Sequence, residues 1–325
     1  MTDTFGRVHD YLRISLTDNC NLRCTYCMPE DDYEFASASQ LMQPDEILTL
    51  AKIFVDAGVN KIRLTGGEPL VRKEAADIIK ALATLPVKLT MTTNATRLHL
   101  FIDVLRDAGL HSLNVSLDTL QADKFILLTK RDQFELTYNN IMMGLLQGFH
   151  MKVNVVVMKG VNDNEILEFI TWTKDLPLHV RFIEFMPFSG NHWSSDKVVT
   201  LDEILQIIST QHDFIPIPRL KHATTKGYQI PGYAGTFAVI STMSSHFCGD
   251  CNRLRLTADG KIKNCLFSKV ETDLLTALRK GDDVLPLIKQ SVHNKAKQLG
   301  GQFEPDFTHV DADLIENRSM ITIGG

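Results

Sequence analysis

The chain has 325 residues, of which 44% are hydrophobic and 22% charged, and a formal net charge of −5. That length suits one large α/β domain with a smaller one appended, and the negative balance excludes broad attraction to nucleic acid or anionic lipid but not a local basic cluster for an anionic substrate. No apolar run approaches the roughly 20 residues that span a bilayer, and Met1 to Arg13 carry no apolar stretch of signal-peptide type, so the expectation is a cytoplasmic protein without a membrane partner, whose 6 cysteines are metal ligands or catalytic groups.

From Tyr11 to Phe188 short apolar or β-branched runs alternate with helical patterns. Strands are expected over Leu12–Leu16, Lys61–Thr65, Val87–Thr92, Ser112–Leu117, Lys152–Met158 and Val180–Phe185. Between the first two, Pro44-Asp45-Glu46 is a helix start, Ile47, Leu50, Ala51 and Phe54 follow at helical spacing, and Gly58 closes the helix. Six strand–helix units imply parallel strands with helical crossovers. A dinucleotide fold would want a glycine fingerprint after its first strand, whereas this strand leads into a cysteine loop. Cys20, Gly66-Gly67-Glu68-Pro69, Thr93-Asn94, Asp118 and Met186-Pro187 follow the strands, as in barrels whose chemistry gathers at the strands' carboxyl ends. The expected fold is α/β, a partial (β/α)6 TIM-like barrel.

After Ser189 the texture changes. Gly190–Ser195 reads as a linker, and Pro216, Pro218, Gly227, Pro231, Gly232 and Gly235 mark a loop-rich region. Short strands are expected at Thr236–Ile240 and Arg253–Thr257, and helices at Thr272–Leu278 and Val284–Leu299. The division expected is a barrel over residues 1–195 and a smaller α+β domain over 196–325.

The cysteines fall into two triads: Cys20, Cys24 and Cys27 as C-x3-C-x2-C, and Cys248, Cys251 and Cys265 as C-x2-C-x13-C. Three thiolates on a cubane of four irons leave one iron open for another ligand, and soft thiolates suit iron–sulfur clusters or zinc. Structural zinc with a fourth ligand such as His246 is the alternative at the second triad. The first triad differs from the ferredoxin spacing C-x2-C-x2-C, which argues against simple electron transfer.

The run Cys20-Asn21-Leu22-Arg23-Cys24-Thr25-Tyr26-Cys27-Met28-Pro29 resembles the radical S-adenosylmethionine signature, and Thr65-Gly66-Gly67-Glu68-Pro69 resembles that superfamily's methionine-binding motif. The run Phe247-Cys248-Gly249-Asp250-Cys251-Asn252-Arg253-Leu254-Arg255-Leu256-Thr257, with Cys265 and a Gly324-Gly325 end, resembles the GTP 3′,8-cyclase family, which opens molybdenum cofactor biosynthesis. The resemblance implies two 4Fe–4S clusters and S-adenosylmethionine as cofactors. It also implies GTP as substrate, an external electron donor, and the next enzyme of the pathway as recipient of the cyclic nucleotide. A nucleic-acid partner is not expected, and the assembly is expected to be a monomer or homodimer. In such a reaction a 5′-deoxyadenosyl radical takes the 3′ hydrogen of GTP, C3′ bonds to C8 of guanine, and reduction gives 3′,8-cyclo-7,8-dihydro-GTP.

By the same resemblance Tyr26, Gly67, Ser116 and Met186 contact S-adenosylmethionine. Glycine at Gly66 and Gly67 admits close backbone approach to a ligand, and Glu68 is placed to accept from the ligand's ammonium, against a local role as a helix-start acid before Pro69. The positions implied for GTP are Arg13, Arg63, Thr92, Lys152, Arg253, Leu254 and Arg255. Arg253 and Arg255 are two apart on a strand and project from one face, side-by-side forks suited to a triphosphate. Arg13 and Arg63 lie inside apolar strand patterns, where an unpaired charge is costly unless an anion enters the barrel. By the same resemblance the apolar tail, with Met320, Ile321 and Ile323, is expected to enter the active site and there position Arg253 or Arg255 or shield the radical from water. A peptide-maturing twin-cluster enzyme would have no use for the arginine pair. A non-catalytic regulator would lack the glycine motif and carry a basic surface.

Overall fold

In the computed structural model, which describes residues 1–28, 35–304 and 306–324 and only the backbone of Asp313, the six expected strands form with ends shifted by a few residues. They are β1 (Tyr11–Ser15), β2 (Lys61–Thr65), β3 (Lys88–Thr93), β4 (Ser112–Ser116), β5 (His150–Val157) and β6 (His179–Glu184). Their crossovers carry α1 (Pro44–Asp56), α2 (Ala75–Leu82), α3 (Ile102–Asp107), α4 (Ala122–Thr129), α5 (Phe134–Leu146) and α6 (Ile166–Trp172), with α4 and α5 both between β4 and β5. Along β5 the burial alternates strictly: Met151, Val153, Val155 and Val157 pack under the helices, while Lys152, Asn154 and Val156 face the barrel interior.

Helix α1 shows why the local sequence folds as it does. Pro44 starts it, Gln43 and Glu46 cap each other reciprocally, and Ile47, Leu50, Ala51 and Phe54 are buried. Complete burial of the Phe54 side chain contributes about 1.5–3 kcal/mol. The helix ends at Asp56, and Gly58, at φ +101, turns the chain into β2.

Beyond residue 195 come α7 (Leu201–Ser209), β7 (Ile215–Ile217), β8 (Lys226–Gln229), β9 (Thr236–Ile240), β10 (Arg253–Leu256), β11 (Lys261–Lys263), β12 (Thr272–Asp273), α8 (Leu274–Lys280), α9 (Leu285–His293) and α10 (Met320–Ile323). Among the described residues all strands belong to one 12-stranded sheet, in the order β12-β11-β10-β1-β2-β3-β4-β5-β6-β9-β8-β7. Strands β9 and β10 run parallel to β6 and β1, so they extend the barrel at its two edges. The barrel stays open between them, and the segment joining them, residues 241–252, carries Cys248 and Cys251 across the gap.

The helix expected over Thr272–Leu278 begins later. Thr272 and Asp273 pair with β11, and the Asp273 carboxylate then caps α8 by accepting from the Thr276 amide at 2.9 Å. The pattern over Val284–Leu299 yields α9 only to His293, followed by a separate turn at Leu299–Gly301. Helix α7 lies where no element was expected, and the β7–β8 hairpin arises within the region expected to be loop-rich. Among the described residues no helix is long and apolar enough to cross a membrane.

Candidate active site

Both cysteine triads open onto one cavity of about 630 Å³ inside the barrel. The first triad follows β1. Its loop is strapped to the end of α4 by the amides of Arg23 and Thr25, which donate to Thr129 and Leu128 carbonyls at 2.8 and 3.0 Å. A tight turn puts the Cys27 and Met28 amides on the Cys24 carbonyl, at 3.0 and 2.9 Å. Burial, with the charge of Glu68, pushes the Cys20 thiol up to about 11, and burial also raises Cys24 and Cys27. Asn94 donates to Cys20 Sγ at 3.8 Å. Tyr26 donates to Asp118 at 2.7 Å, and burial lifts that carboxyl to about 6 although Tyr26 and the Val156 amide act against the rise.

The glycine pair lines the cavity and also packs on backbone of the same chain. A Cβ on Gly66 would lie 2.5 Å from the Thr17 carbonyl oxygen, and one on Gly67 2.4 Å from that of Asn19. Their missing side chains let the end of β2 pack on the backbone leading into the cysteine loop, with the Gly67 amide donating to Thr17 at 2.7 Å. Glu68 does not line the cavity. It is fully buried and accepts from the Leu70 amide at 3.0 Å, the Thr93 hydroxyl at 2.8 Å and the Asn94 amide at 2.6 Å. Both oxygens are thus occupied within the protein, in the local capping role, and burial still raises the carboxyl to about 7. Its link to the triad runs through Asn94.

Parallel register assembles the cations. Arg13 pairs with Arg255 on one side and Arg63 on the other, and Tyr11 likewise pairs with Arg253 and Lys61. Tyr11 lies among them, with Lys61 Nζ at 4.5 Å from its ring centre and Arg13 and Arg63 at 5.8 and 5.9 Å. Burial raises the Tyr11 hydroxyl, but Arg63, Arg13 and Lys61 draw it down to about 7. Arg63 donates to Tyr11 Oη and, at 3.2 Å, to Thr92 Oγ1. Lys152 and Arg181 complete the group. Burial and mutual repulsion lower Arg13 to about 10, Arg181 to about 9 and Lys152 to about 7. Among the described residues these seven cations form no ion pair, and the cavity's carboxylates Asp118 and Glu184 are held by other donors. Among the described residues Nε of Arg13 and Nε of Arg181 are buried without a partner. Such a site calls for a polyanion.

Leu254 departs from its expected place. Strand alternation turns it into the core, fully buried, while Arg253 and Arg255 face the cavity. Lys61 and Arg181 were not anticipated. The period-2 argument applied to Arg253 and Arg255 finds Lys61 beside Arg63, and the same alternation turns Arg181 inward from β6. Ser116, Met186, Tyr26 and Gly67 all line the cavity. Pro29 and Gly325 lie outside the described residues.

The second triad differs electrically from the first. Burial opposes ionisation of Cys251, yet Arg253 and Lys295 bring its thiol down to about 6; their nitrogens stand 3.3 and 3.6 Å from Sγ. All six thiols are free, half-buried and turned to the cavity, which fits one three-cysteine cluster at each triad.

Register places the two triads at opposite ends of the barrel. Cys20 follows the carboxyl end of β1, whereas Cys251 precedes β10, whose first residue Arg253 pairs with Tyr11 at the start of β1. The cations lie between them.

Family models for the Radical SAM superfamily and for Molybdenum Cofactor Synthesis C match residues 14–173 and 178–300. The chain is 39% identical over 302 residues to the GTP 3′,8-cyclase of Listeria monocytogenes, covering 91% of this chain and 90% of that one. It is 43% identical over 334 residues to the mitochondrial GTP 3′,8-cyclase of Arabidopsis thaliana, covering 100% and 83%. Molybdenum cofactor biosynthesis protein 1 of Mus musculus is 44% identical over 331 residues, which are 100% of this chain but 51% of that relative; the chain spans about half the length of several such relatives. Among solved structures, S-adenosylmethionine-bound SuiB of Streptococcus suis has a TM-score of 0.63 at 15% identity, over 87% of this chain and 66% of that one, a likeness of fold alone.

The barrel and its cysteine loop define a radical S-adenosylmethionine protein. Within that class, the chain belongs to the GTP 3′,8-cyclase family. Its cofactors are two 4Fe–4S clusters and S-adenosylmethionine.

Proposed function

We propose that this chain catalyses the radical cyclisation of GTP to 3′,8-cyclo-7,8-dihydro-GTP, the first step of molybdenum cofactor biosynthesis. The observation that carries the proposal is the unpaired cation group lying between two cysteine triads in one cavity. Cys20, Cys24 and Cys27 would hold the cluster that, with S-adenosylmethionine, supplies a 5′-deoxyadenosyl radical. Tyr26, Gly67, Ser116 and Met186 line that end of the cavity and position the methionine and ribose portions.

The protein's own contribution is placement and charge. Arg13, Lys61, Arg63, Lys152, Arg181, Arg253 and Arg255 neutralise the triphosphate inside the barrel, where burial strengthens each charged contact. Thr92, already a partner of Arg63, adds a hydroxyl. Cys248, Cys251 and Cys265 would hold the second cluster beside the guanine. Fixing the ribose C3′ toward the first triad with guanine C8 over C3′ holds GTP in the conformer from which this intramolecular ring closure proceeds. The reducing electron comes from an external donor, and the cyclic nucleotide passes to the next enzyme of the pathway. Anaerobic incubation with GTP, S-adenosylmethionine and a strong reductant tests the proposal: a product isomeric with GTP supports it, and recovery of unchanged GTP beside cleaved S-adenosylmethionine counts against it.

A further inference from the structure

Lys295 is a buried cation without a carboxylate. It is 3% exposed, sits just past α9, and among the described residues forms no ion pair. Its ammonium donates to the Arg253 carbonyl at 2.9 Å and to Cys251 Sγ at 3.6 Å. An ammonium buried beside neutral groups alone is costly, so its natural counter-charge is the thiolate set of the second triad.

The surroundings hold it there. Arg7, itself paired with Asp3 at 2.6 Å, donates to the carbonyls of Cys248, Ala296 and Lys297 at 3.0, 2.8 and 2.7 Å. Arg7 therefore ties the Lys295 segment to the cysteine turn, while its own charge is already balanced. At the first triad Arg23 donates to the Cys20 carbonyl rather than to sulfur. Among the described residues the side chain that donates to a sulfur there is the neutral Asn94 amide, at 3.8 Å, and the buried carboxylates Glu68 and Asp118 face its thiols. Cluster potentials follow net charge and hydrogen bonds to sulfur.

Building on the reading that the second triad holds a cluster, we propose that Lys295 is a positioning residue for it, a charged donor to Cys251 that raises its reduction potential. The test uses the full-length chain carrying Cys24→Ala, so that only the second cluster gives a signal, reconstituted anaerobically and titrated by electron paramagnetic resonance against redox mediators. Adding Lys295→Gln should lower the one-electron reduction constant at least tenfold, 59 mV. Lys295→Arg should restore the parental value, and Lys289→Gln on the exposed side of α9 should leave it unchanged. A Gln variant that holds its iron at the parental potential overturns the proposal. If the Gln variant loses its iron, retention by the Arg variant at the parental potential supports a need for charge, and equal loss from both overturns it. Absence of iron from the Cys24→Ala parent overturns the two-cluster reading, and the role of Lys295 with it.

Discussion

The guanidinium of Arg255 donates to the carbonyl oxygen of Gly324, so the end of the chain is held by a cation of the site. Ile321 and Ile323 are buried, and Arg318 grips both oxygens of Asp259 at 3.0 and 2.9 Å, which fixes how α10 enters. Gly324 has φ +83, and a Cβ there would lie 2.6 Å from Thr65 Oγ1. Only a residue without a side chain fits. Deleting residues 324–325 should leave both clusters and the cleavage of S-adenosylmethionine intact while cyclised product falls at least about tenfold, or ~1.4 kcal/mol of lost positioning. Chromatography of 5′-deoxyadenosine and cyclic nucleotide from one reaction reads both; a parallel fall in the two would place the tail in the radical-generating step instead.

Arg181 offers a cleaner probe of the anion site than Arg255, because it is not engaged with the tail. Arg181→Ala should weaken GTP binding by about 1.5–3 kcal/mol, the scale of a charge-assisted contact. Guanosine, which carries no phosphate, should lose much less. Calorimetry with both ligands decides, and equal losses would move Arg181 away from the triphosphate.

Much of this arrangement is legible in the sequence, and the failures have physical causes. Local periodicity finds β1 to β6 because each strand carries its own apolar alternation. It does not show that Thr236–Ile240 and Arg253–Leu256 close onto β6 and β1, since parallel pairing across such separations leaves no local mark. Helix α7 carries its own start signal in the sequence: Thr200 and Glu203 form a reciprocal capping box. Gly66 and Gly67 read correctly as places where a side chain is excluded, but spacing cannot say whether ligand or backbone fills the room. Glu68 shows the same limit. Its sequence neighbours point to a ligand, and its structural neighbours are two amides and a hydroxyl of the same chain.

The triads should separate under mutation. Cys24→Ala should retain about half the iron and lose S-adenosylmethionine cleavage, whereas Cys265→Ala should keep the first cluster and lose cyclic product. Iron and sulfide analysis with an assay of each product checks both. Full iron in the Cys24→Ala protein would remove the first cluster from that loop.

Lys152 makes nucleotide affinity depend on pH. Burial, then Arg181 and Arg63, depress it to about 7, so above that value the free site is increasingly neutral at this position. A triphosphate favours the ammonium, and binding above pH 7 therefore takes up a proton. Affinity should fall as pH rises from 7 to 9, more steeply than in Lys152→Met. Calorimetry in buffers of different ionisation enthalpy measures the uptake; identical proton counts for the two proteins would remove Lys152 from this role.

The central claim is that one cavity brings the radical to the ribose of a bound GTP. The most direct measurement is transfer of deuterium from GTP labelled at C3′ into 5′-deoxyadenosine, read by mass spectrometry after anaerobic turnover. The arrangement of the triads around the cation group predicts one deuterium per 5′-deoxyadenosine formed with GTP bound, together with its loss from the cyclised product. Unlabelled 5′-deoxyadenosine alongside product that retains the deuterium would contradict it.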